Sequence, residues 1–208
     1  MNGTPLDGKA IFDRVHAAFG TAVFGWQHAA APDAKDGVRD AFFRVMPQHL
    51  PEVAHLLRDD AALRFDFLQN LTAVDWPKHH DNPVFELVYH LFSYTHRHEI
   101  VLKTAVPREA PRVPSVSALW KNADWLEREQ FDLFGVLFTG HPDLRRLLLP
   151  DDWVGHPMRK DYREAAEYRG MPTTRPSPLD LLLRFDAATK ADVAAPEAAV
   201  PGPAKDPS

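Results

Sequence analysis

Two alternating apolar runs separated by three residues constrain the fold of this chain most strongly. They occupy residues 84–94 and 98–106, and in each run large apolar side chains recur at every second position, as in a strand with one buried face. The recurring side chains are Phe85, Leu87, Tyr89 and Leu91 in the first run, and Ile100 and Leu102 in the second. Because only Thr95, His96 and Arg97 separate the runs, we expect an antiparallel hairpin.

Further strands and helices are predicted on both sides of this hairpin. Residues 40–46 and 64–75 are predicted strands, ended by Pro47 and Pro77, while residues 9–19 and 50–57 carry apolar residues at helical spacing. After the proline-rich residues 107–114, Ser115 and Asn122 are each placed to cap a helix, the second ending at Gly135. The predicted fold is α+β: a single domain with a mixed or antiparallel sheet of about four strands packed by helices, followed by a long irregular C-terminal extension.

The chain divides into four predicted segments. Residues 1–38 form an N-terminal helix and linker, residues 39–135 the α+β core domain, residues 136–190 an irregular partner-binding extension, and residues 191–208 a disordered tail. The first residues lack the basic and apolar regions of an export signal, and no stretch is long and apolar enough to span a bilayer. Any membrane association is therefore expected to come through partners.

Composition excludes several classes of function. The sequence contains no cysteine, which removes disulfides, thiolate zinc sites and ordinary iron–sulfur ligation from this chain. Its net charge is -5 and it has no long basic run, so nothing favours binding to nucleic acid. If electrons pass nearby, another chain is expected to carry them.

The segment of residues 125–162 carries the most information. On a helix, Glu127 lies beside Phe131 and Phe134 on one face, and Glu129 and Asp132 share another face. A carboxylate beside aromatic rings requires a cation, and Arg145, Arg146, Arg159 and Lys160 follow in an irregular, proline-rich stretch. Unless its own side chains satisfy the backbone of this stretch, a partner surface is expected to do so.

These residues closely resemble the signature of the 30 kDa subunit family of respiratory complex I, the NADH-quinone oxidoreductase. The resemblance extends over roughly residues 40 to 165, with a weaker similarity at Leu71 to Trp76. Directly after Tyr162 the chain departs from the family pattern, in which a proline usually follows. The positions that carry the resemblance are Glu127-Arg128-Glu129, Asp132, Phe134-Gly135, Phe138, Gly140-His141-Pro142-Asp143-Leu144-Arg145-Arg146, Gly155-His156-Pro157 and Arg159-Lys160-Asp161.

The resemblance implies a peripheral subunit of a proton-translocating NADH:quinone oxidoreductase, on the cytoplasmic side of the inner membrane. It implies that this chain binds no cofactor: FMN, iron–sulfur clusters and quinone are carried by partners, among them the quinone-site subunit (named D) and neighbouring iron–sulfur subunits. The alternative is the equivalent subunit of a related membrane-bound hydrogenase or deazaflavin-dehydrogenase complex. No catalytic residue is expected. The predicted partner interface or loop clamp comprises Glu127, Arg128, Glu129, Asp132, His141, Asp143, Arg145, Arg146, Trp153, His156, Arg159, Lys160 and Asp161.

Other interpretations of these residues stay open at this stage. The charges of the helix are also compatible with a solvated face, and the arginine pairs with phosphate or anionic lipid. His141 and His156 each stand between glycine and proline, where a ring nitrogen can bond a backbone group and fix a turn. An alternative is a free-standing enzyme in which these two histidines and Asp161 bind a metal, although no histidine pair has the spacing of a metal site. His79, His80 and His96 to His98 are predicted to be solvated turn residues.

Overall fold

The structure, a computed structural model, describes residues 5–28, 40–78 and 82–173. The chain divides into two compact units, Met1–Tyr162 and Arg163–Ser208. The predicted tail and the His79-His80 pair lie outside the described residues. Within the described ranges, no helix has the length and apolar character needed to cross a membrane.

A five-stranded mixed sheet forms the centre of the first unit. Its strands are β1 (Val23–Gln27), β2 (Phe42–Val45), β3 (Phe67–Trp76), β4 (Val84–Ser93) and β5 (His98–Pro107), in the order β1-β2-β5-β4-β3. Neighbouring strands are antiparallel except β2 and β5, which are parallel. The predicted hairpin is confirmed as β4 and β5, with Ser93 opposite His98.

The α+β fold is confirmed, with one strand more than expected. Sequence reasoning missed β1 because its five residues, VFGWQ, include a glycine and lack apolar alternation. The predicted strand from Arg64 begins only at Phe67, since Arg64 adopts a left-handed φ of 41° that ends the preceding turn.

Three α-helices are present in the described residues: α1 (Gly8–Phe19), α2 (Leu50–Asp59) and α3 (Ala123–Phe134). Their apolar side chains join those of the sheet in one hydrophobic cluster, to which α1 contributes Ile11 and Val15 and α2 contributes Val53 and Leu57. Burial of such side chains stabilises a domain by about 25 cal/mol per Å² of apolar surface removed from water. The core therefore includes the N-terminal helix, which the sequence division had set apart from it.

The segment after α3 also enters the core. Val136 and Phe138 are buried there, and β7 (Leu137–Thr139) pairs in parallel with β6 (Arg112–Pro114) as a separate two-stranded sheet. The structure thus carries the core domain past residue 135, the position at which the sequence division ended it. In the second unit, β8 (Glu167–Tyr168) and β9 (Met171–Pro172) form a short antiparallel hairpin.

Two local predictions were wrong. No helix follows Ser115, because its hydroxyl bonds Glu127 and Ser117 instead of capping a helix. His98 is buried and not solvated: its Nδ1 accepts from the Leu6 N–H, and its Nε2 donates to the Leu63 carbonyl at 2.7 Å. Burial lowers the pKa of His98, in keeping with a neutral ring.

A loop bonded to helix α3 as the candidate functional site

Helix α3 lies between the sheet edge and the loop of residues 140–162, so polar residues on both of its sides are buried. Glu127, Arg128, Gln130 and Asp132 are all buried. Glu129 is half-exposed, and its side chain makes no hydrogen bond or ion pair within the described part of the chain. The two predicted faces of α3 therefore carry one buried carboxylate each.

Gln130 attaches the helix to the edge strand β3. Its side-chain oxygen accepts from the Ala73 N–H at 2.9 Å, and its side-chain nitrogen donates to the Leu71 carbonyl at 3.2 Å. An edge strand otherwise presents unpaired backbone groups that recruit other strands. The Gln130 side chain thus supplies hydrogen-bond partners to two backbone groups on the open edge of β3.

Asp132 is the main contact between α3 and the loop. Its Oδ2 accepts three consecutive backbone N–H groups, from Leu147, Leu148 and Leu149, at 2.7–3.0 Å. Its Oδ1 pairs with the Arg146 guanidinium at 2.8 Å. Burial acts to raise the pKa of this carboxyl, but the four bonds outweigh it and hold the pKa below its ordinary value. The carboxylate therefore fixes the course of the loop backbone.

The last four carbonyls of α3 have no partner within the helix, and the segment beyond it supplies one for each. The Gly135 N–H bonds Phe131 O, His156 Nδ1 donates to Asp132 O, the Met158 N–H to Leu133 O, and Arg159 Nε to Phe134 O. A cation at this end also complements the helix dipole. The motif from Gly155 to Arg159 is therefore a C-terminal cap, formed by chain about 20 residues later.

Only glycine fits at Gly135, for two separate reasons. Its φ is +74°, which favours glycine, and a Cβ there would lie 2.5 Å from His156 Nε2 and 2.7 Å from Arg159 Nη2. The predicted end of the helix at Gly135 is confirmed. The small residue also leaves room for the capping side chains.

A second ion-paired cluster holds the end of the loop against β3. Asp75 accepts Arg108 Nε at 2.8 Å and the Lys160 N–H at 2.8 Å, and Arg108 also pairs with Asp161. Burial acts to raise the pKa of Asp75, but Arg108 and the Lys160 N–H reverse the shift, so the net direction is downward. Sequence reasoning did not name Asp75 or Arg108, although a charge inside the predicted buried strand was a signal for the first.

At the other end of α3, Glu127 and His141 hold a second turn. Glu127 accepts the Val116 N–H at 2.7 Å and the Ser115 hydroxyl at 2.6 Å. His141 Nδ1 accepts the Asp143 N–H, so its Nε2 carries the proton and donates to the Asp124 carbonyl at 3.2 Å. Burial raises the pKa of Glu127 to about 7, although its two hydrogen bonds oppose this.

The remaining predicted site residues lie nearer the surface or bond carbonyls. Arg145 and Asp143 form a solvent-exposed pair at 2.8 Å. The Arg128 guanidinium donates to the carbonyls of Arg145 and Arg146 and lies 5.0 Å from the Trp125 ring. Trp153 is half-buried, and its carbonyl accepts a hydrogen bond from the Arg146 guanidinium. The Lys160 ammonium lies 5.5 Å from the centre of the Trp76 ring. Asp161 is exposed and pairs with Arg108.

No group of three histidine, aspartate or glutamate side chains suited to a metal comes together among the described residues. His141 bonds Asp124 near the start of α3 and His156 bonds Asp132, two turns later. Eight residues of helix correspond to about 12 Å. The two imidazoles named for the metal-enzyme alternative therefore serve opposite ends of α3.

Comparison with known proteins assigns the chain to a family. The model of the family described as respiratory-chain NADH dehydrogenase, 30 Kd subunit, matches residues 43–168. The chain belongs to this 30 kDa subunit family. The resemblance found in the sequence is thereby confirmed, and all residues named above for the α3–loop contacts lie within the matched range.

Relatives of this 30 kDa family member carry a consistent name. The NADH-quinone oxidoreductase subunit named C from Roseiflexus sp. (strain RS-1) is 44% identical over 162 residues, covering 78% of this chain and 87% of the relative. The protein of the same name from Herpetosiphon aurantiacus is 39% identical, covering 76% and 85%. A chain in the structure of the membrane-bound sulfane sulfur reductase, an archaeal respiratory membrane complex, is 26% identical with a TM-score of 0.61, covering 76% of this chain and 87% of that one.

Proposed function

We propose that this chain is a non-redox structural subunit of a proton-translocating NADH:quinone oxidoreductase, peripheral on the cytoplasmic side of the inner membrane. FMN, iron–sulfur clusters and quinone belong to its partners in this proposal. The chain positions the quinone-site subunit and neighbouring iron–sulfur subunits. Family membership supports the complex, and a sequence without cysteine supports the non-redox role.

The observation that carries the proposal is a set of exposed apolar side chains on the loop after α3. Arg146 and Arg159 of this loop bond Asp132 and the Phe134 carbonyl of the helix, whereas the apolar side chains of Leu148, Val154 and Met158 are 62%, 83% and 55% exposed. We call these three apolar side chains the outer loop surface. Three such side chains on one loop support a protein interface.

The bonding of the loop makes this surface suitable for docking. The Leu148 N–H bonds Asp132, and the Met158 N–H bonds Leu133, so both residues are held by adjacent positions of one helix. A partner was expected to complete this backbone unless the chain's own side chains did so, and the buried Asp132 and Arg128 of α3 bond part of it. A surface ordered before binding loses less conformational entropy when a partner docks.

Polar residues border the outer loop surface, as they do in protein interfaces. Asp151 and Asp152 precede Val154 and are exposed, and the Asp143–Arg145 pair lies in the same loop. Arg146 and Arg159, named earlier as possible ligands of phosphate or lipid, are engaged by a carboxylate and a carbonyl. This favours a protein partner over an anion.

The test is recovery of the complex from native membranes through an affinity tag on the full chain. Leu148→Asp and Val154→Asp are expected to reduce the recovery of partner subunits several-fold without changing the unfolding midpoint of the lone chain. Tyr94→Asp is the matched control, because Tyr94 is 65% exposed on the β4–β5 hairpin.

The exposed charge Arg145 and the half-exposed Glu129 provide a second pair of variants. Arg145→Ala and Glu129→Ala are expected to lower assembly more than the stability of the isolated chain, because neither residue has a buried ion pair to lose. Normal assembly combined with lost turnover would contradict the structural role.

A second candidate is the equivalent subunit of a related membrane-bound hydrogenase or deazaflavin-dehydrogenase complex. The similarity to a chain of the sulfane sulfur reductase complex favours this candidate, because it shows that the fold occurs in another respiratory membrane complex. The higher identity to the NADH-quinone oxidoreductase relatives favours the first proposal. The electron donor oxidised by the purified complex distinguishes the two.

A further inference from the structure

Three carboxylates are buried in the described part of the chain, and one of them lacks an arginine. Asp75 pairs with Arg108, and Asp132 pairs with Arg146, both at 2.8 Å. Glu127 has a fully buried side chain, and its hydrogen bonds come only from the neutral Ser115 hydroxyl and Val116 N–H. A buried carboxylate without a cation is costly in its ionised form.

Among the described residues no lysine or arginine bonds Glu127, and the ionisable groups that face it come from three elements. From the turn after β7, His141 Nε2 lies 4.0 Å from Glu127 but closer, at 3.0 Å, to Asp124 Oδ1, and His141 Nδ1 accepts the Asp143 N–H. From α3 itself, Asp124 adds negative charge, while Arg128 is turned to the carbonyls of residues 145 and 146. From β4, the buried Tyr89 adds only a phenol, whose pKa is raised by burial and by Glu127.

The hydroxyls beside Glu127 accommodate a proton without movement of heavy atoms. Ser115 Oγ lies 2.6 Å from Glu127 Oε2 and 2.7 Å from Ser117 Oγ, and either serine can donate in the second bond. When Glu127 is ionised, Ser115 donates to it. When Oε2 carries a proton, that O–H donates to Ser115, which in turn donates to Ser117, while Oε1 keeps the Val116 N–H.

We propose that Glu127 is a buried proton-binding site, which exchanges with solvent through the hydroxyls of Ser115 and Ser117. One O–H bond forms at Glu127 Oε2, the proton is delivered by hydronium at the half-exposed Ser117 and leaves a water molecule behind, and no other group of the protein changes charge. The site concerns the chain alone and does not rest on the proposed function. Burial raises the pKa of Glu127 to about 7, so exchange falls near neutral pH.

The experiment is an infrared titration of the full-length chain from about pH 5 to about pH 9, following the carbonyl stretch of protonated carboxyl groups. Wild-type protein is expected to show a band that disappears with a midpoint near neutrality, well above the range of ordinary carboxyls. Glu127→Gln is expected to remove this band. Glu129→Gln, on the same helix but half-exposed, is the matched control and retains it.

Ser115→Ala tests the hydrogen bond between Glu127 and the serine hydroxyls, and it keeps the proposal testable if Glu127→Gln does not fold. Loss of a hydrogen bond that favours the ionised carboxyl is expected to move the midpoint to higher pH, a change that a purely structural serine would not cause. Absence of a near-neutral carboxyl band in the wild-type chain overturns the proposal. So does a band that persists unchanged in Glu127→Gln, or a midpoint that is the same in Ser115→Ala.

Discussion

Replacing Asp132 with asparagine tests whether the loop is fixed by one buried carboxylate. The substitution keeps the shape of the side chain but removes the charge that receives three backbone N–H groups and Arg146. Hydrogen bonds to charged groups are worth about 1.5–3 kcal/mol each, but the amide oxygen of asparagine still accepts at least one of them. Because the loss of one partner from a buried ion pair costs about 3–5 kcal/mol, we expect a destabilisation of that size.

The assay combines urea unfolding with hydrogen exchange of individual amides. The amides of Leu147, Leu148 and Leu149 are expected to lose protection selectively in Asp132→Asn, because their acceptor has lost its charge. Asp143→Asn is the control: its partner Arg145 lies in the same loop, but the pair is exposed and is expected to contribute little to stability. Equal destabilisation by both variants, with the three amides still protected, would refute the role given to Asp132.

The remaining predictions concern the helix end, the sheet edge and pH. Gly135→Ala should lower the free energy of unfolding by more than about 2 kcal/mol, measured by thermal unfolding. Gly140→Ala is the control: its φ is +85°, but an added Cβ would have no atom within 4 Å, so the loss should be about 1–2 kcal/mol. Equal losses in the two variants would contradict the steric role of Gly135. Gln130→Ala should lower the free energy of unfolding by about 2–4 kcal/mol, because it leaves two backbone groups of β3 without partners. Glu129→Ala, the control, should change it little. Similar losses in both variants would contradict the contact between Gln130 and the sheet. The raised pKa of Glu127 means that the folded state binds its proton more tightly, so stability should fall by about 3 kcal/mol as pH rises from 4.5 to about 7. That slope should be absent in Glu127→Gln.

Sequence reasoning succeeded where a pattern is local. The β4–β5 hairpin follows from alternation over two runs with a short turn, and the end of α3 follows from one glycine. It failed at β1, whose residues carry no periodic signal. It also failed at Ser115, whose hydroxyl is required by Glu127, twelve residues later in the chain.

The pairings within the site could not be predicted for a related reason. Arg108 bonds Asp75 from 33 positions away in the sequence, and the Lys160 N–H bonds it from 85 positions away. At such separations neither composition nor spacing predicts which residues pair. The sequence did identify the motif residues. Whether their charges turn towards α3 or towards another molecule depends on the path of the loop, which only the folded chain defines.

The cap at the end of α3 has a consequence for biosynthesis. Three of the four terminal carbonyls of this helix receive their donors from His156, Met158 and Arg159, which the ribosome adds more than 20 residues after the helix itself. Until then the nascent helix has an incomplete end, so its last turn should fray and its hold on the sheet should be weak. A chain released before residue 159 should therefore be more sensitive to proteases at α3 than one released after residue 162.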